Sequence, residues 1–300
     1  MPRRDSEISG VVAAVPTIFD HNNQPKITEF IHHCKWALDN GCDGLNILGT
    51  TGEANSQGPA TRKSIMKAAA RDIDPSKMMV GTGTSDLEMT VELTRYADKL
   101  GYAVALVLPP FYYTPVSDDG IFSYFKAIDN ALGTSEIVLY LYNFPALSGI
   151  KFSVQLIKRM VKEMPYRICG LKDSSGDVNY CKEIVEAVPN FKVFPSNEVC
   201  ISDARINGFA GCISGSVNVT GPWAGKLWHG YEGRNRDSQL VELKELRAAI
   251  SSVPLVQAVK HLIGLRENNI DWNVVIPPLM PLTELEKIQL TEVAQKLSYI

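Results

Sequence analysis

Three hundred residues, 45% of them apolar and 21% charged, describe a globular chain with a full-sized core, either one large domain or two ordinary ones. The formal net charge of −3 gives no general attraction to nucleic acid or to an anionic membrane, so neither is expected as a partner. No apolar run approaches ~20 residues, so no spanning helix is expected. The polar N-terminus, Met1-Pro2-Arg3-Arg4-Asp5-Ser6-Glu7, lacks an apolar signal region and reads as a frayed arm on a cytoplasmic protein.

Short apolar strands alternate with amphipathic helices. Val11–Val15 is the first strand, and Thr28 is the expected N-cap of a helix running to about Asn40-Gly41. Leu45–Leu48 is the second strand, ending in Gly49-Thr50-Thr51-Gly52-Glu53, with a helix from Pro59 to Ala70 behind it. Met78–Val80 is the third. Its helix spans Leu87 to Leu100, with Leu93, Tyr96, Ala97 and Leu100 on one face. The fourth, Ala103–Leu108, stops at Pro109-Pro110 and an aromatic loop, Phe111-Tyr112-Tyr113-Thr114-Pro115; a helix over Asp119–Asn130 follows. The fifth, Ile137–Tyr142, ends at Asn143-Phe144-Pro145 and leads to a helix over Ser153–Lys162. The sixth carries Ile168-Cys169-Gly170-Leu171-Lys172, followed by a helix over Asp177–Ala187. Phe191–Phe194 is the seventh, with a short helix near Glu198–Ile206, and Cys212-Ile213-Ser214 belongs to the eighth.

Eight strands alternating with helices fit a parallel TIM-type (β/α)8 barrel. The alternative, a doubly wound open sheet, lacks a G-x-G-x-x-G after its first strand. The pattern changes at Thr220-Gly221-Pro222, after which only helices are expected: Trp223–Tyr231, Asp237–Ser251, Leu255–Leu265 and Thr283–Leu297. The chain therefore divides into a catalytic barrel, residues 1–220, and a C-terminal helical extension, residues 221–300. Gly221-Pro222-Trp223-Ala224-Gly225-Lys226-Leu227 is one residue short of a phosphate loop and has Leu in place of Ser or Thr. The six cysteines, Cys34, Cys42, Cys169, Cys181, Cys200 and Cys212, form no C-x-x-C pair and read as buried free thiols. His32 and His33 are adjacent and do not share a helical face, and no metal site is expected. The sequon at Asn218 is discounted because no secretory signal accompanies it.

In such a barrel the C-terminal strand ends converge on one mouth. Lys172 leaves a buried strand there, placed to serve as the free amine of Schiff-base chemistry. Taken alone, a lysine that snorkels at a strand end is the simpler reading. The turn at Gly49-Thr50-Thr51-Gly52 leaves the Thr50 and Thr51 N–H groups free to grip an anion, although a glycine turn into a helix accounts for five residues as well. Tyr142 beside the lysine offers a phenol for proton relay or carbonyl orientation, or else a packed core tyrosine. Together these suit a 2-oxo acid such as pyruvate, held by Thr50 and Thr51 with its keto carbon at Lys172.

The segments Gly49-Thr50-Thr51-Gly52-Glu53, Tyr142-Asn143-Phe144-Pro145 and Gly170-Leu171-Lys172-Asp173 resemble the motifs of the dihydrodipicolinate synthase/N-acetylneuraminate lyase family, in order and through the whole barrel. The resemblance implies a class I, Schiff-base-forming, pyruvate-type lyase or aldolase with no metal or other cofactor, acting on pyruvate and an aldehyde, and a homotetramer built as a dimer of dimers. Carried over by motif, Lys172 is the Schiff-base lysine and Tyr142 the relay and orienting tyrosine. Thr50 and Thr51, opened by Gly49, bind the carboxylate, and Thr50 also passes a proton. Tyr112 is similar to the loop tyrosine that enters a neighbouring subunit's site, with Tyr113 as its rival. Ile213 matches the eighth-strand residue whose backbone faces pyruvate. Leu147 stands where dihydrodipicolinate synthases place an arginine for the second substrate's carboxylate. Ser196-Asn197-Glu198-Val199 replaces the Gly-Tyr-Asp-Glu-like segment of sialic acid lyases, which sets Ser196 and Glu198 against the substrate's tail. The segment Lys172-Asp173-Ser174-Ser175-Gly176-Asp177 is closest to aldolases of 2-keto-3-deoxy sugar acids and 4-hydroxy-2-oxo acids, the expected function. The competing readings are 4-hydroxy-tetrahydrodipicolinate synthase, a Schiff-base sugar-acid dehydratase, and a non-catalytic 2-oxo-acid-binding barrel.

Overall fold

The computed structural model describes residues 4, 5, 8–230 and 236–300. The strands are β1 (Gly10–Ala14), β2 (Gly44–Ile47), β3 (Met78–Gly81), β4 (Val104–Val107), β5 (Val138–Asn143), β6 (Ile168–Asp173), β7 (Lys192–Pro195) and β8 (Gly211–Ser214). The helices are α1 (Ile27–Asp39), α2 (Pro59–Asp72), α3 (Leu87–Lys99), α4 (Asp118–Leu132), α5 (Pro145–Ser148), α6 (Val154–Glu163), α7 (Val178–Ala187), α8 (Val217–Trp228), α9 (Arg236–Ser251), α10 (Leu255–Glu267) and α11 (Glu284–Lys296). All ladders are parallel, in the order β7-β6-β5-β4-β3-β2-β1-β8. The sheet curls until Ala210 N–H, just before β8, donates to Val193 O of β7 at 3.0 Å. This is the (β/α)8 barrel that the strand–helix alternation predicts.

Nearly every strand residue is buried, because one pleat face packs on the helices and the other fills the barrel. Leu45, Ile47, Val80, Leu141, Leu171 and Val193 join the outer layer against the helices. Val12, Ala14, Met79, Val104, Leu106, Tyr140, Tyr142, Phe194 and Ile213 form a separate inner cluster. With a stagger of about one residue per strand, inward side chains sort into layers of four drawn from alternate strands. The pairings Ala14–Asn46–Met79, Leu106–Tyr140, Tyr142–Lys172–Phe194 and Val12–Ile213 then group Asn46, Leu106, Lys172 and Ile213 in one layer. Ala14 and Tyr142 lie in the layer above, toward the mouth.

Several elements depart from the sequence reading for physical reasons. Arg4 and Asp5 are not frayed. Asp5 is fully buried and accepts Tyr140 Oη–H at 2.9 Å, and Arg4 pairs with Asp98 at 2.9 Å, so this stretch closes the barrel floor. Residues 1–3, 6 and 7 of the predicted arm lie outside the described residues, as does Tyr231, the predicted end of a helix. The α1 helix starts one residue before Thr28, after Lys26. Pro145–Ser148 forms a helical turn where the sequence suggests only a loop, and the short helix after β7 is a 3-10 turn, Glu198–Asp203. The α8 helix begins at Val217 and runs through Pro222, so the change of pattern at 220–222 falls inside a helix. The ring of Pro222 leaves Asn218 O without its intrahelical donor. Arg266 Nη1–H approaches that carbonyl at 3.4 Å. All six cysteines are free and five are buried. The sequon residue Asn218 is buried, donating to Ala14 O and Gly215 O. Among the described residues no single helix is long and apolar enough to cross a membrane.

Candidate active site

The C-terminal ends of β2, β5 and β6 bring the predicted residues together. Lys172 and Tyr142 are paired in register on neighbouring strands, so their side chains leave the sheet on the same inner face. Lys172 is 4% exposed, and its Nζ lies 4.6 Å from the centre of the Tyr142 ring. The Tyr142 hydroxyl is in turn 3.2 Å from Thr50 Oγ1. An amine beside a phenol that is linked to a second hydroxyl can add to a carbonyl and move a proton along the chain of oxygens. Gly49, Thr50, Leu106 and Tyr142 help line a cleft at this mouth.

The turn carrying Thr50 and Thr51 is held from below and from the side. Leu48 and Glu53 bracket it in left-handed backbone conformations, φ 54° and 55°. Gly52 O accepts from Thr17 Oγ1 at 3.0 Å and from Gln57 Nε2 at 2.6 Å. Glu53 is buried; its Oε1 accepts from Lys260 Nζ of α10 at 2.6 Å and its Oε2 from Ile276 N–H at 2.7 Å. Thr51 packs against Gly215 after β8, where a Cβ would come within 3.0 Å of Thr51 Oγ1. Among the described residues no hydrogen-bond partner holds the Thr50 and Thr51 N–H groups. They are available to an anion.

Asp173, next along β6, points to the opposite face by the pleat. Its carboxylate accepts from Asn143 Nδ2 at 2.6 Å and Ser175 Oγ at 2.9 Å. Burial pushes its pKa up, against the pull of the Asn143 and Ser175 donors. Asn143 Oδ1 receives Phe152 N–H at 3.1 Å. These bonds fix the ends of β5 and β6, and with them the spacing of Tyr142 and Lys172.

The other predicted residues fall into four groups. Ile213 is fully buried in the same inner layer as Lys172. Leu147 on α5 and Tyr112 and Tyr113 on the loop after β4 are exposed, at 63%, 74% and 77%. The two loops adjoin, since a Cβ at Gly149 would lie 3.5 Å from Thr114 Cγ2. Ser196 is half-buried, with its N–H on Asp173 O at 2.8 Å. Glu198 is a correction. It is fully buried and faces α8 and α9 rather than a substrate. One carboxylate oxygen accepts from Ser216 Oγ at 2.6 Å and Thr220 Oγ1 at 2.7 Å, the other from Ser214 Oγ at 2.7 Å and Arg247 Nη1 at 3.0 Å. Burial opposes its charge, but the Arg247 guanidinium and the three hydroxyls outweigh that and hold its pKa below the ordinary value. With every lone pair engaged, this carboxylate ties the C-terminal helices to β8. The sequence reading also passed over Asn46, whose signal was one polar residue inside the apolar run Leu45-Asn46-Ile47-Leu48.

The profile of the dihydrodipicolinate synthetase family matches residues 7–298. N-acetylneuraminate lyase 2 of Escherichia coli O6:H1 is 28% identical over 304 residues, covering 97% of this chain and 95% of its own. The putative 2-dehydro-3-deoxy-D-gluconate aldolase YagE of Escherichia coli K12 is 27% identical over 305 residues, covering 96% and 97%. A crystal structure of YagE in complex with pyruvate superposes with a TM-score of 0.89 at 26% identity, covering 98% of this chain and 99% of that one. A profile spanning the chain almost end to end, on a barrel that already sets a buried lysine against a tyrosine at its mouth, makes this chain a member of the dihydrodipicolinate synthetase family and a lyase.

Proposed function

We propose that the chain is a class I aldolase that cleaves a 2-keto-3-deoxy sugar acid or related 4-hydroxy-2-oxo acid to pyruvate and an aldehyde, through a Schiff base on Lys172. The observation that carries this reading is the contact series Lys172–Tyr142–Thr50 at the barrel mouth. The acid's carboxylate is bound by the Thr50 and Thr51 N–H groups. The unprotonated Lys172 amine adds to the C2 carbonyl, and the carbinolamine loses water to give an iminium. Tyr142, coupled to Thr50, takes the C4 hydroxyl proton. The C3–C4 bond breaks, its electron pair moves into the iminium, and the aldehyde leaves. The enamine is protonated at C3, and water releases pyruvate and the free amine. The covalent imine is the electron sink, so the scheme calls for no metal or other cofactor.

Leu147 supports a substrate without a second carboxylate, because an exposed leucine on α5 offers no charge where an arginine would pair with one. The relatives named as an N-acetylneuraminate lyase and a 2-dehydro-3-deoxy-D-gluconate aldolase support the same substrate class. The exposed Tyr112–Tyr113 pair, with ring centres 5.3 Å apart, supports a subunit contact beside the mouth, of the kind the proposed homotetramer calls for. The buried free thiols support a reducing, cytoplasmic setting.

The test is product analysis. Purified protein is given 2-keto-3-deoxy sugar acids, and pyruvate is followed with a coupled lactate dehydrogenase assay. Pyruvate and aldehyde in equal amounts are expected. Loss of water without pyruvate would make the chain a dehydratase, and turnover only with pyruvate plus aspartate semialdehyde would make it the synthase.

A further inference from the structure

Asn46 is fully buried on β2, and among the described residues neither its amide nitrogen nor its carbonyl oxygen has a hydrogen-bond partner. A buried amide left unpaired has given up its hydrogen bonds to water without replacement, so one kept in a barrel core invites a functional reason. Its place supplies one. Asn46 pairs with Ala14 and Met79, both inward-facing, and Leu45 and Ile47 on either side face outward. The carboxamide therefore points to the barrel axis. It shares the layer of Lys172, and β2 and β6 stand four strands apart in an eight-stranded barrel, on opposite sides of that axis. The other two members of the layer, Leu106 and Ile213, are apolar and offer it no partner.

The amide also lies directly beneath the anion-binding turn. A Cβ at Gly49 would stand 2.8 Å from Asn46 Nδ2, so the absence of a side chain at 49 is what leaves this nitrogen room. We propose that Asn46 is a substrate-binding residue of this site. Its Nδ2–H donates to the carboxylate of the bound 2-oxo acid from below, as the Thr50 and Thr51 N–H groups do from the rim, while Lys172 meets the keto carbon from the far side. Donors set around an anion in a water-poor site fix both its position and its orientation. The inference deepens the reading of Lys172 as the Schiff-base lysine and rests on it.

The experiment is borohydride trapping read by mass, with two carbonyl probes: pyruvate, and hydroxyacetone, which has a keto group and no carboxylate. It uses the full-length wild type, Asn46→Leu and Asn46→Ala. Replacing an unpaired amide by an apolar side chain leaves the thermal midpoint of the free protein unchanged or raised. The concentration of pyruvate for half-maximal trapping rises at least tenfold in both variants, the hydroxyacetone value stays within about twofold, and saturating pyruvate lifts the midpoint of the wild type more than that of either variant. Equal losses for the two probes, or none for either, overturn the role of Asn46 while wild-type trapping by pyruvate leaves the Lys172 reading in place. No pyruvate adduct on wild-type Lys172 overturns both.

Discussion

Among the described residues two lysines are buried, and their surroundings differ. Lys260 on α10 is fully buried, 4.8 Å from the Phe19 ring centre, and ion-paired to Glu53 at 2.6 Å. Lys172 is almost as buried and 4.6 Å from the Tyr142 ring centre. Among the described residues it has no carboxylate within ion-pair distance. The nearest acid in sequence, Asp173, is turned to the other face of β6 and engaged with Asn143 and Ser175. Both lysines adjoin the same turn. The pair with Glu53 holds it from outside the barrel, and from inside Lys172 touches Tyr142, whose hydroxyl meets Thr50 of the turn. One buried lysine is ion-paired and the other lies beside a phenol, and this difference is what supports the proposal that Lys172 is the reactive one.

The comparison breaks most visibly at Lys172. Lys172→Met is expected to lower turnover by a factor on the order of 10⁴ or more, with a thermal midpoint unchanged or raised, since it removes an unpaired amine and fills its space. A stability loss with retained activity would assign Lys172 the structural role instead. Tyr142→Phe keeps the ring under Lys172 and removes the proton path. It is expected to cost about 10²- to 10⁴-fold in kcat while pyruvate trapping on Lys172 persists. Loss of trapping in step with kcat would mean that the phenol serves imine formation alone.

Lys260→Met should reverse the pattern, costing about 3–5 kcal/mol in urea unfolding because Glu53 is left charged and buried without its partner. Adding Glu53→Gln should recover most of that loss. A Lys260→Met protein as stable as wild type would show that the pair does not hold the turn.

The smallest effect is in pH. His33 is fully buried, with Nε2–H on Asn218 Oδ1 at 2.9 Å and Nδ1 accepting from Arg266 at 3.0 Å. Burial and the Arg266 charge push its pKa down to about 3 from 6.5. Below pH 6.5 the unfolded chain therefore binds a proton that the folded chain refuses, so this stability is full above pH 6.5 and is lost as pH falls toward 3. Between pH 7 and 5 the loss is about 2 kcal/mol. His33→Gln should flatten the unfolding free energy across that interval, and an unchanged slope would clear His33 of the effect.

How much was readable in advance follows from what periodicity carries. The alternation of strands and helices located all eight strands to within about a residue or two, and the strand ends placed Lys172, Tyr142 and Thr50 on one rim. Periodicity does not say which way a residue turns once a strand has ended. Glu198, the third residue beyond β7, reads from sequence as facing a substrate and instead faces the helices, because its partner Arg247 lies 49 positions on in α9. Asp5 reads as part of a free arm because its partner Tyr140 is 135 positions away. Pro222 read as a helix boundary because a backbone rule sees only the missing N–H, not an arginine reaching in from α10. Asn46 stood in plain view as a polar residue in an apolar strand. Its layer, and its place opposite Lys172, exist only once the barrel is closed.

The proposed role of Lys172 as nucleophile is decided by borohydride reduction in the presence of pyruvate, followed by peptide mass mapping. One reduced pyruvyl adduct per chain is expected, on Lys172 and abolished in Lys172→Met. No adduct, or an adduct of undiminished yield in that variant, rules the role out.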